Sequence, residues 1–171
     1  MAVFLLISWY TVGVRFSIIC AILLCFIGAC NIWSESMITL SSVLVSVLIC
    51  FIIGVPLGVF AAYNKRYEKF QEPILDAMQT LPSFCYLIPV LMHFGGNKVS
   101  AVIATVIYSV VPIIRLTILG LTQVSESYTE VSKSFGGTTL QTLIKIKYPM
   151  AVPSLVMGFN QTVMMAFAMQ I

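Results

Sequence analysis

The chain has 171 residues, of which 60% are hydrophobic and only 9% are charged, and its formal net charge is +3. A soluble domain carries about 25% charged residues, and a chain of this length has no interior large enough to hide so much apolar surface. The composition therefore excludes a water-soluble globular protein. In a soluble chain a net charge of +3 would weakly suggest a nucleic-acid partner, but in a membrane protein the placement of the basic residues matters more than their sum, and no nucleic-acid partner is expected.

Long segments without Asp, Glu, Lys or Arg follow one another along the chain. A helix that crosses a bilayer needs about 20 apolar residues, and backbone polar groups in hydrocarbon must be paired within a helix or a closed barrel. The continuous apolar runs do not alternate as barrel strands do. The sequence therefore predicts an all-α, multi-pass bundle whose spans lie in Phe16 to Ser34, Met37 to Asn64, Ala77 to Asn97, Val99 to Ile114 and Tyr148 to Ile171.

The two ends of the chain lie inside apolar runs. Met1 to Val14 is too short to span and is followed by Arg15, so we interpret it as the tail of a helix or as a re-entrant piece. The last residue, Ile171, also falls within an apolar stretch, and both ends are expected to continue. The predicted organisation is a set of N-terminal helices in residues 1–33 and a core in residues 37–171.

The basic residues predict the orientation of the spans, because cytoplasmic loops are enriched in Lys and Arg. Three of the nine basic residues lie in the predicted loop 64–69, and four lie in the segment from Arg115 to Lys147. With both segments in the cytoplasm, Ile74 to Phe94 and Val99 to about Ile118 form one hairpin whose outer turn is Gly95 to Lys98. Only Lys98 then faces outward.

The longest polar stretch, Thr122 to Lys147, is predicted to be helical rather than disordered. Ser127-x-x-Glu130 and Thr138-x-x-Gln141 both have the spacing of a capping box, in which a hydroxyl and a carboxylate or amide satisfy free backbone N–H groups. Gly136-Gly137 between them allows a change of direction. We expect the second helix to stop at Pro149. This second helix is amphipathic, and its apolar residues are Leu140, Leu143, Ile144 and Ile146. It could serve as a docking element for a partner or as a stiff connector.

The spacing of Glu130, Gly136, Ile146 and Pro149 resembles the EAA loop of ATP-binding-cassette importer permeases. The chain has Glu130-Val131-Ser132 in place of the EAA triplet, and Tyr148 where the pattern has Leu. Further segments resemble the permeases of glycine betaine/proline betaine importers over nearly the whole chain: Asp76 to Pro82, Tyr86 to Pro89, Pro112 to Gly120 and Gly158 to Thr162.

The resemblance implies the type I permease (MetI-like) fold, with about five full or partial spans here and two short cytoplasmic coupling helices. It implies a non-catalytic subunit of the cell inner membrane that works as a pair of copies. A cytoplasmic ATPase would bind the ATP, so no cofactor is expected in this chain, and an external binding protein would deliver the substrate. The residues implied for coupling to the ATPase are Glu130, Ser132, Gly136, Leu140, Leu143, Ile146 and Pro149.

Polar groups within or near the spans are candidates for the substrate path or for hydrogen bonds between helices. They are Gln79, Thr80, Tyr86, Asn160 and Gln161. Asp76 lies near the cytoplasmic end of a predicted span and is interpreted either as a path residue or as a cap or partner of a nearby base. Arg115 is expected to have a structural role and to extend its charged end towards the interface.

Two other functions remain open. A permease for another small solute, such as an amino acid, would share the EAA spacing, and the Asp76 to Pro89 segment favours the betaine branch over it. A secondary transporter or channel belongs to a different class and has no need for the Glu130 to Pro149 pattern. The chain also lacks the GxxxxGK[ST] phosphate loop of an ATPase.

The predicted orientation is tested by cysteine labelling in intact cells, with the native cysteines replaced. A membrane-impermeant maleimide should label Lys133→Cys only after the cells are permeabilised, because the polar segment faces the cytoplasm. Asn97→Cys, in the outer turn, is the matched control and should be labelled without permeabilisation. Labelling of position 133 from outside would contradict the orientation.

Overall fold

The structure is a computed structural model that describes residues 9–10 and 13–170. The interpretation of Met1 to Val14 falls largely outside the described residues. The chain divides into two compact units, with the boundary between Ser41 and Ser42. In chain order the helices are α1 Val14–Ala29, α2 Trp33–Tyr63, α3 Lys65–Thr80, α4 Phe84–Phe94, α5 Lys98–Thr122, α6 Glu126–Ser134, α7 Thr139–Thr142 and α8 Tyr148–Gln170, with a π-helical turn, Leu143–Lys147, between α7 and α8.

The helix lengths confirm the predicted all-α, multi-pass architecture. Among the described residues three continuous helices are long and apolar enough to cross a membrane: α2, α5, and the run Thr139–Gln170 that contains α8. Helices α3 and α4 together form a fourth, bent candidate, and α1 is a shorter apolar helix. The first span ends earlier than predicted, at Ala29, and the chain then turns at Asn31, whose φ is 58°.

The predicted loop 64–69 is wrong, because helix α3 begins at Lys65. Asn64 caps this helix: its side-chain oxygen accepts hydrogen bonds from the backbone N–H of Arg66 at 3.2 Å and of Tyr67 at 3.3 Å. Such a cap satisfies N–H groups that have no partner inside the helix. The basic residues therefore lie on the first turns of an amphipathic helix rather than in a loop.

The predicted single span from Ile74 to Phe94 is broken between α3 and α4, which meet at an angle of 91°. Pro82 explains the break, because a proline ring disfavours the helical conformation of the residue before it. Leu81 is accordingly extended, with φ −72° and ψ 134°. Across the break the hydroxyl of Tyr86 donates to the carbonyl oxygen of Met78 at 2.8 Å, so the bend is held by a hydrogen bond.

Helix α5 is the centre of the second unit and carries its most deeply buried side chains, among them Val111 and Ile113. Hydroxyl groups along α5 are paired within the helix: Ser109 and Thr117 each donate to the carbonyl four residues earlier, at 2.6 Å. This pairing removes the cost of polar groups in a medium without water. At Ser109 the hydroxyl also lies 3.4 Å from the sulfur of Cys50 on α2.

The close approach of α2 to α5 depends on Gly58. A Cβ atom there would lie 2.6 Å from Cβ of Thr117 and 2.9 Å from the carbonyl oxygen of Ile114. Because one of these atoms is backbone, a side chain cannot be accommodated by a rotamer change, and α2 would have to move. Small residues at such contacts are what allow membrane helices to approach closely.

Gly58→Val should therefore destabilise the helix bundle by about 1–3 kcal/mol, the usual cost of overpacking. The measurement is the thermal midpoint and membrane abundance of the purified full-length protein. Gly96→Ala is the matched control, because a Cβ at Gly96 meets no atom within 4 Å. An unchanged midpoint for Gly58→Val would show that α2 and α5 are not packed as described.

Candidate functional site

The candidate site is the segment from Ser125 to Pro149, which begins with α6. The predicted capping box of Ser127 and Glu130 is wrong: the N-cap is Ser125, whose hydroxyl accepts from the backbone N–H of Ser127 at 3.4 Å. The helix starts at Glu126, so Ser127 already lies inside its first turn. Glu130 is consequently an exposed side chain of the mid-helix and not a capping group.

The two glycines after α6 serve different purposes. Gly136 has φ 75°, as the sequence predicted, which is a conformation that other residues adopt at a cost. Gly137 donates its backbone N–H to the carbonyl oxygen of Ser132 at 2.9 Å. A Cβ at Gly137 would lie 2.6 Å from the Ser132 hydroxyl oxygen, so the second helix approaches the first only because this position has no side chain.

The second helix, α7, begins with the predicted capping box. Thr138 accepts from the backbone N–H of Gln141 at 3.3 Å, and the Gln141 side chain accepts from the backbone N–H of Thr138 at 2.9 Å. The hydroxyl groups of Ser132 and Thr142 lie 2.7 Å apart and join α6 to α7. Thr142 is buried, so this hydrogen bond is shielded from water. Ser132 therefore joins the two helices to each other, and the coupling role expected for it stays a prediction.

The predicted stop at Pro149 is wrong, because the helix continues from α7 through the π-helical turn into α8. Proline lacks an N–H, and its ring clashes with the carbonyl four residues earlier in a regular helix. That carbonyl belongs to Lys145, in the wider π-helical turn, where the backbone N–H of Tyr148 bonds to Leu143 five residues back. The wider turn accommodates Pro149, and the polar segment becomes a direct extension of a span.

The apolar residues of this segment divide into two groups. Leu140, Ile144 and Phe135 are well exposed, and Phe135 is 88% exposed. Leu143 and Ile146 are half-buried. We define Phe135, Leu140 and Ile144 as the exposed apolar set. Beside it lies an open groove with a volume of about 280 Å³, which is lined by Tyr63, Thr139, Leu140 and Leu143.

Lys147 ties the segment to the end of α2. Its ammonium nitrogen lies 5.1 Å from the centre of the Tyr63 ring, a cation–π distance. The ring of Tyr67 on α3 packs edge-on against Phe60 of α2, with centroids 4.9 Å apart. The end of α2, the start of α3 and the π-helical turn therefore meet at one end of the second unit.

The candidate path residues lie in two places. Gln79, Thr80 and Tyr86 are grouped at the break between α3 and α4, and the Tyr86 ring lies 6.1 Å from that of Tyr108 on α5. Asn160 and Gln161 are exposed on α8. No contact in the described residues brings the α8 pair to the break, so the five residues do not form one cluster within this chain.

The pairing predicted as one alternative for Asp76 is present. Its carboxylate forms an ion pair with the guanidinium of Arg115, which links α3 to α5. Beside this pair is a cavity of 350 Å³, which the sequence did not predict. Glu68, Glu72 and Asp76 recur every four residues, a spacing that places them on one face of a helix. The prediction of a loop at 64–69 places Glu68 outside any helix, whereas helix α3 begins at Lys65 and carries all three acids.

Comparison with a protein-family model gives a match over residues 54–169 to the family described as "Binding-protein-dependent transport system inner membrane component". The matched range contains the end of α2, the bent pair α3 and α4, the central helix α5, the candidate segment and nearly all of α8. It therefore covers every element from which the candidate site is built.

Curated relatives are similar over nearly the whole chain. The glycine betaine/proline betaine transport system permease protein ProW of Escherichia coli (strain K12) is 46% identical over 98% of this chain and 47% of its own length. The glycine betaine transport system permease protein OpuAB of Bacillus subtilis (strain 168) is 37% identical over 98% of this chain and 59% of its own.

A third relative has a different named solute. The trimethylamine N-oxide transport system permease protein TmoV of Ruegeria pomeroyi (strain ATCC 700808 / DSM 15171 / DSS-3) is 41% identical over 93% of this chain and 24% of its own. The chain spans about half the length of the first relatives it matches, and less of the third.

Proposed function

The chain belongs to the family of binding-protein-dependent transport system inner membrane components, and from this we propose that it is the permease part of an ATP-driven importer of betaine-type osmoprotectants. The proposal rests mainly on the structure of the segment from Ser125 to Pro149. It is a pair of short, hydrogen-bonded helices that exposes apolar side chains and continues without a break into a candidate span. That arrangement suits a connection between a partner in water and helices in lipid.

We propose that a cytoplasmic ATPase binds the exposed apolar set. Apolar helix faces dock into grooves of partner proteins, and Leu140 and Ile144 stand four residues apart on such a face. ATP hydrolysis is assigned to that partner. The further proposed partners are an external substrate-binding protein and a second copy of the permease, in the cell inner membrane.

Movement of the segment would reach the spans through α8. The π-helical turn joins α7 to α8 without a loop, and α8 packs closely on α5, where a Cβ at Gly120 would lie 2.8 Å from Cβ of Ser154. A displacement of α6 and α7 would therefore tilt α8 and press on α5. Because packed cores resist continuous deformation, such a push favours a switch between two arrangements.

The substrate proposal rests on the names of the relatives. Glycine betaine and proline betaine carry a quaternary ammonium and a carboxylate, and trimethylamine N-oxide also combines a substituted ammonium nitrogen with a negative oxygen. We propose that this chain handles solutes of this zwitterionic class. Gln79, Thr80 and Tyr86 at the helix break, and Asn160 and Gln161 on α8, are proposed to line the path, which a second copy would complete.

The experiment combines transport with a pair of substitutions at one position. The full-length protein, reconstituted with its ATPase and binding protein, should take up glycine betaine in an ATP-dependent manner. Gly136→Val should lower uptake and ATPase retention about tenfold, because a β-branched residue at φ 75° redirects α7, and a cost of 1.4 kcal/mol is about tenfold in binding. Gly136→Asn should retain most of both, since asparagine tolerates positive φ.

Permease abundance in the membrane is measured for both variants, so that a loss of uptake is not mistaken for a loss of protein. Uptake of another solute without any betaine uptake would remove the substrate proposal and leave the importer proposal standing. Normal uptake and normal ATPase retention with Gly136→Val would show that the segment is a connector without a coupling role.

A further inference from the structure

We give the name coupling segment to residues Ser125 to Pro149, for which a coupling role is proposed above. We propose that the 350 Å³ cavity between α3 and α5 binds the zwitterionic solute on the side of the permease where the coupling segment lies. This inference rests on the proposed function and goes beyond it, because the cavity lies apart from the proposed path residues. The volume falls in the range of about 300–1,000 Å³ that is typical of small-molecule sites. Its lining combines apolar and polar residues: Glu68, Gln71, Glu72, Leu75, Arg115, Leu116, Ile118, Leu119 and Thr122.

One side of the cavity carries unneutralised negative charge. Glu68 and Glu72 lie four residues apart on α3 and therefore share one face of that helix. The next acid on the same face, Asp76, is paired with Arg115. Neither Glu68 nor Glu72 forms an ion pair with any described residue, and the cation in the cavity lining, Arg115, is already paired with Asp76, so these two carboxylates lack a counter-charge of their own. A ligand with a positively charged group would supply it.

The same cavity has hydrogen-bond donors without acceptors. Gln71 is only 8% exposed, and its side-chain nitrogen has no hydrogen-bond partner. The Nε atom of Arg115 is likewise buried and unpartnered. Buried donors of this kind are costly to leave unsatisfied. After small rotations of the Gln71 and Arg115 side chains, the carboxylate of a ligand would accept hydrogen bonds from both. The positively charged end of the same ligand would then lie towards Glu68 and Glu72.

The size and composition of the cavity select an organic zwitterion over a metal ion. Among the described residues there is no group of three or more His, Cys, Asp or Glu side chains that could hold a metal. The volume of 350 Å³ also far exceeds that of a bare ion. The apolar side chains Leu75, Leu116 and Leu119 suit the methyl groups of a quaternary ammonium, which has no N–H and cannot donate hydrogen bonds.

The position of the cavity in the unit indicates at which stage of transport a solute would bind there. Thr122, in its lining, is the last residue of α5, and α6 follows four residues later. Helix α3 starts beside Tyr63, which contacts Lys147 of the π-helical turn. The cavity therefore adjoins the coupling segment, at the end of the unit that the basic residues assign to the cytoplasm. A solute bound there is one that has crossed the membrane.

The test is substrate protection of a cysteine. The full-length permease with its ATPase is placed in nanodiscs, native cysteines are replaced, and Thr122→Cys reports on the cavity. Glycine betaine at about ten times its dissociation constant should slow maleimide alkylation about tenfold, because only the unoccupied fraction reacts. Sorbitol at equal osmolality should not slow it. Gln123→Cys, the neighbouring residue outside the cavity lining, should react at the same rate with and without betaine.

The charge requirement is tested in the same reporter background. Glu72→Gln should abolish the protection by betaine, whereas Lys69→Gln, on the same helix but outside the cavity lining, should leave it intact. Equal protection by sorbitol, or protection that survives Glu72→Gln, would overturn the inference. If the same variants take up betaine normally in sealed proteoliposomes with the binding protein and Thr122→Cys is not protected, the site is refuted while the proposed function stands. Absence of betaine uptake would instead refute the proposed substrate.

Discussion

The close packing of α5 is the constraint on which the second unit depends. Lipid hydrocarbon cannot hydrogen-bond, and it gives almost no hydrophobic driving force for one helix to pack on another. Helix association therefore depends on complementary shapes and on small residues that allow close approach. Gly58 on α2 and Gly120 on α5 provide such contacts, each at a point where a Cβ would meet a neighbouring atom below 3 Å. Helix α5 also binds α3 through Arg115 and Asp76, and its end leads directly to the coupling segment.

The coupling segment gains its stiffness from several weak restraints that act together. A capping box fixes the start of α7, a buried pair of hydroxyl groups joins α6 to α7, and Lys147 contacts Tyr63. Each contributes little by itself, about 0.5–1.5 kcal/mol for a typical hydrogen bond. Together they leave the helix pair few alternative positions, and its backbone continues directly into α8.

The sequence predicts most of the architecture because apolar length and the placement of charge report directly on the bilayer. It also predicts Gly136 and the Thr138 cap, since both depend on local backbone chemistry. It fails where two local solutions compete: Ser125 and Ser127 are both good capping residues, and only the start of α6 at Glu126 decides between them. Pro149 signals a stop in a regular helix, but a π-helical turn removes the clash.

A local pattern reaches only one wall of the cavity beside Arg115, the helix face that carries Glu68, Glu72 and Asp76. The other wall comes from α5, and 39 residues separate Asp76 from its partner Arg115. Only packing shows that Gln71 is buried and that its side-chain nitrogen has no hydrogen-bond partner.

The central claim is that the coupling segment and α8 move as one body. It is tested by electron–electron spin distance measurements on the full-length complex, in which only one copy of the permease carries labels at Ser134→Cys and Met164→Cys and native cysteines are replaced, without ATP and with the ATPase trapped in its closed state. The account predicts one narrow distance distribution that is the same in both states. A shifted or broadened distribution in the trapped state would show that the π-helical turn flexes, and would contradict the account.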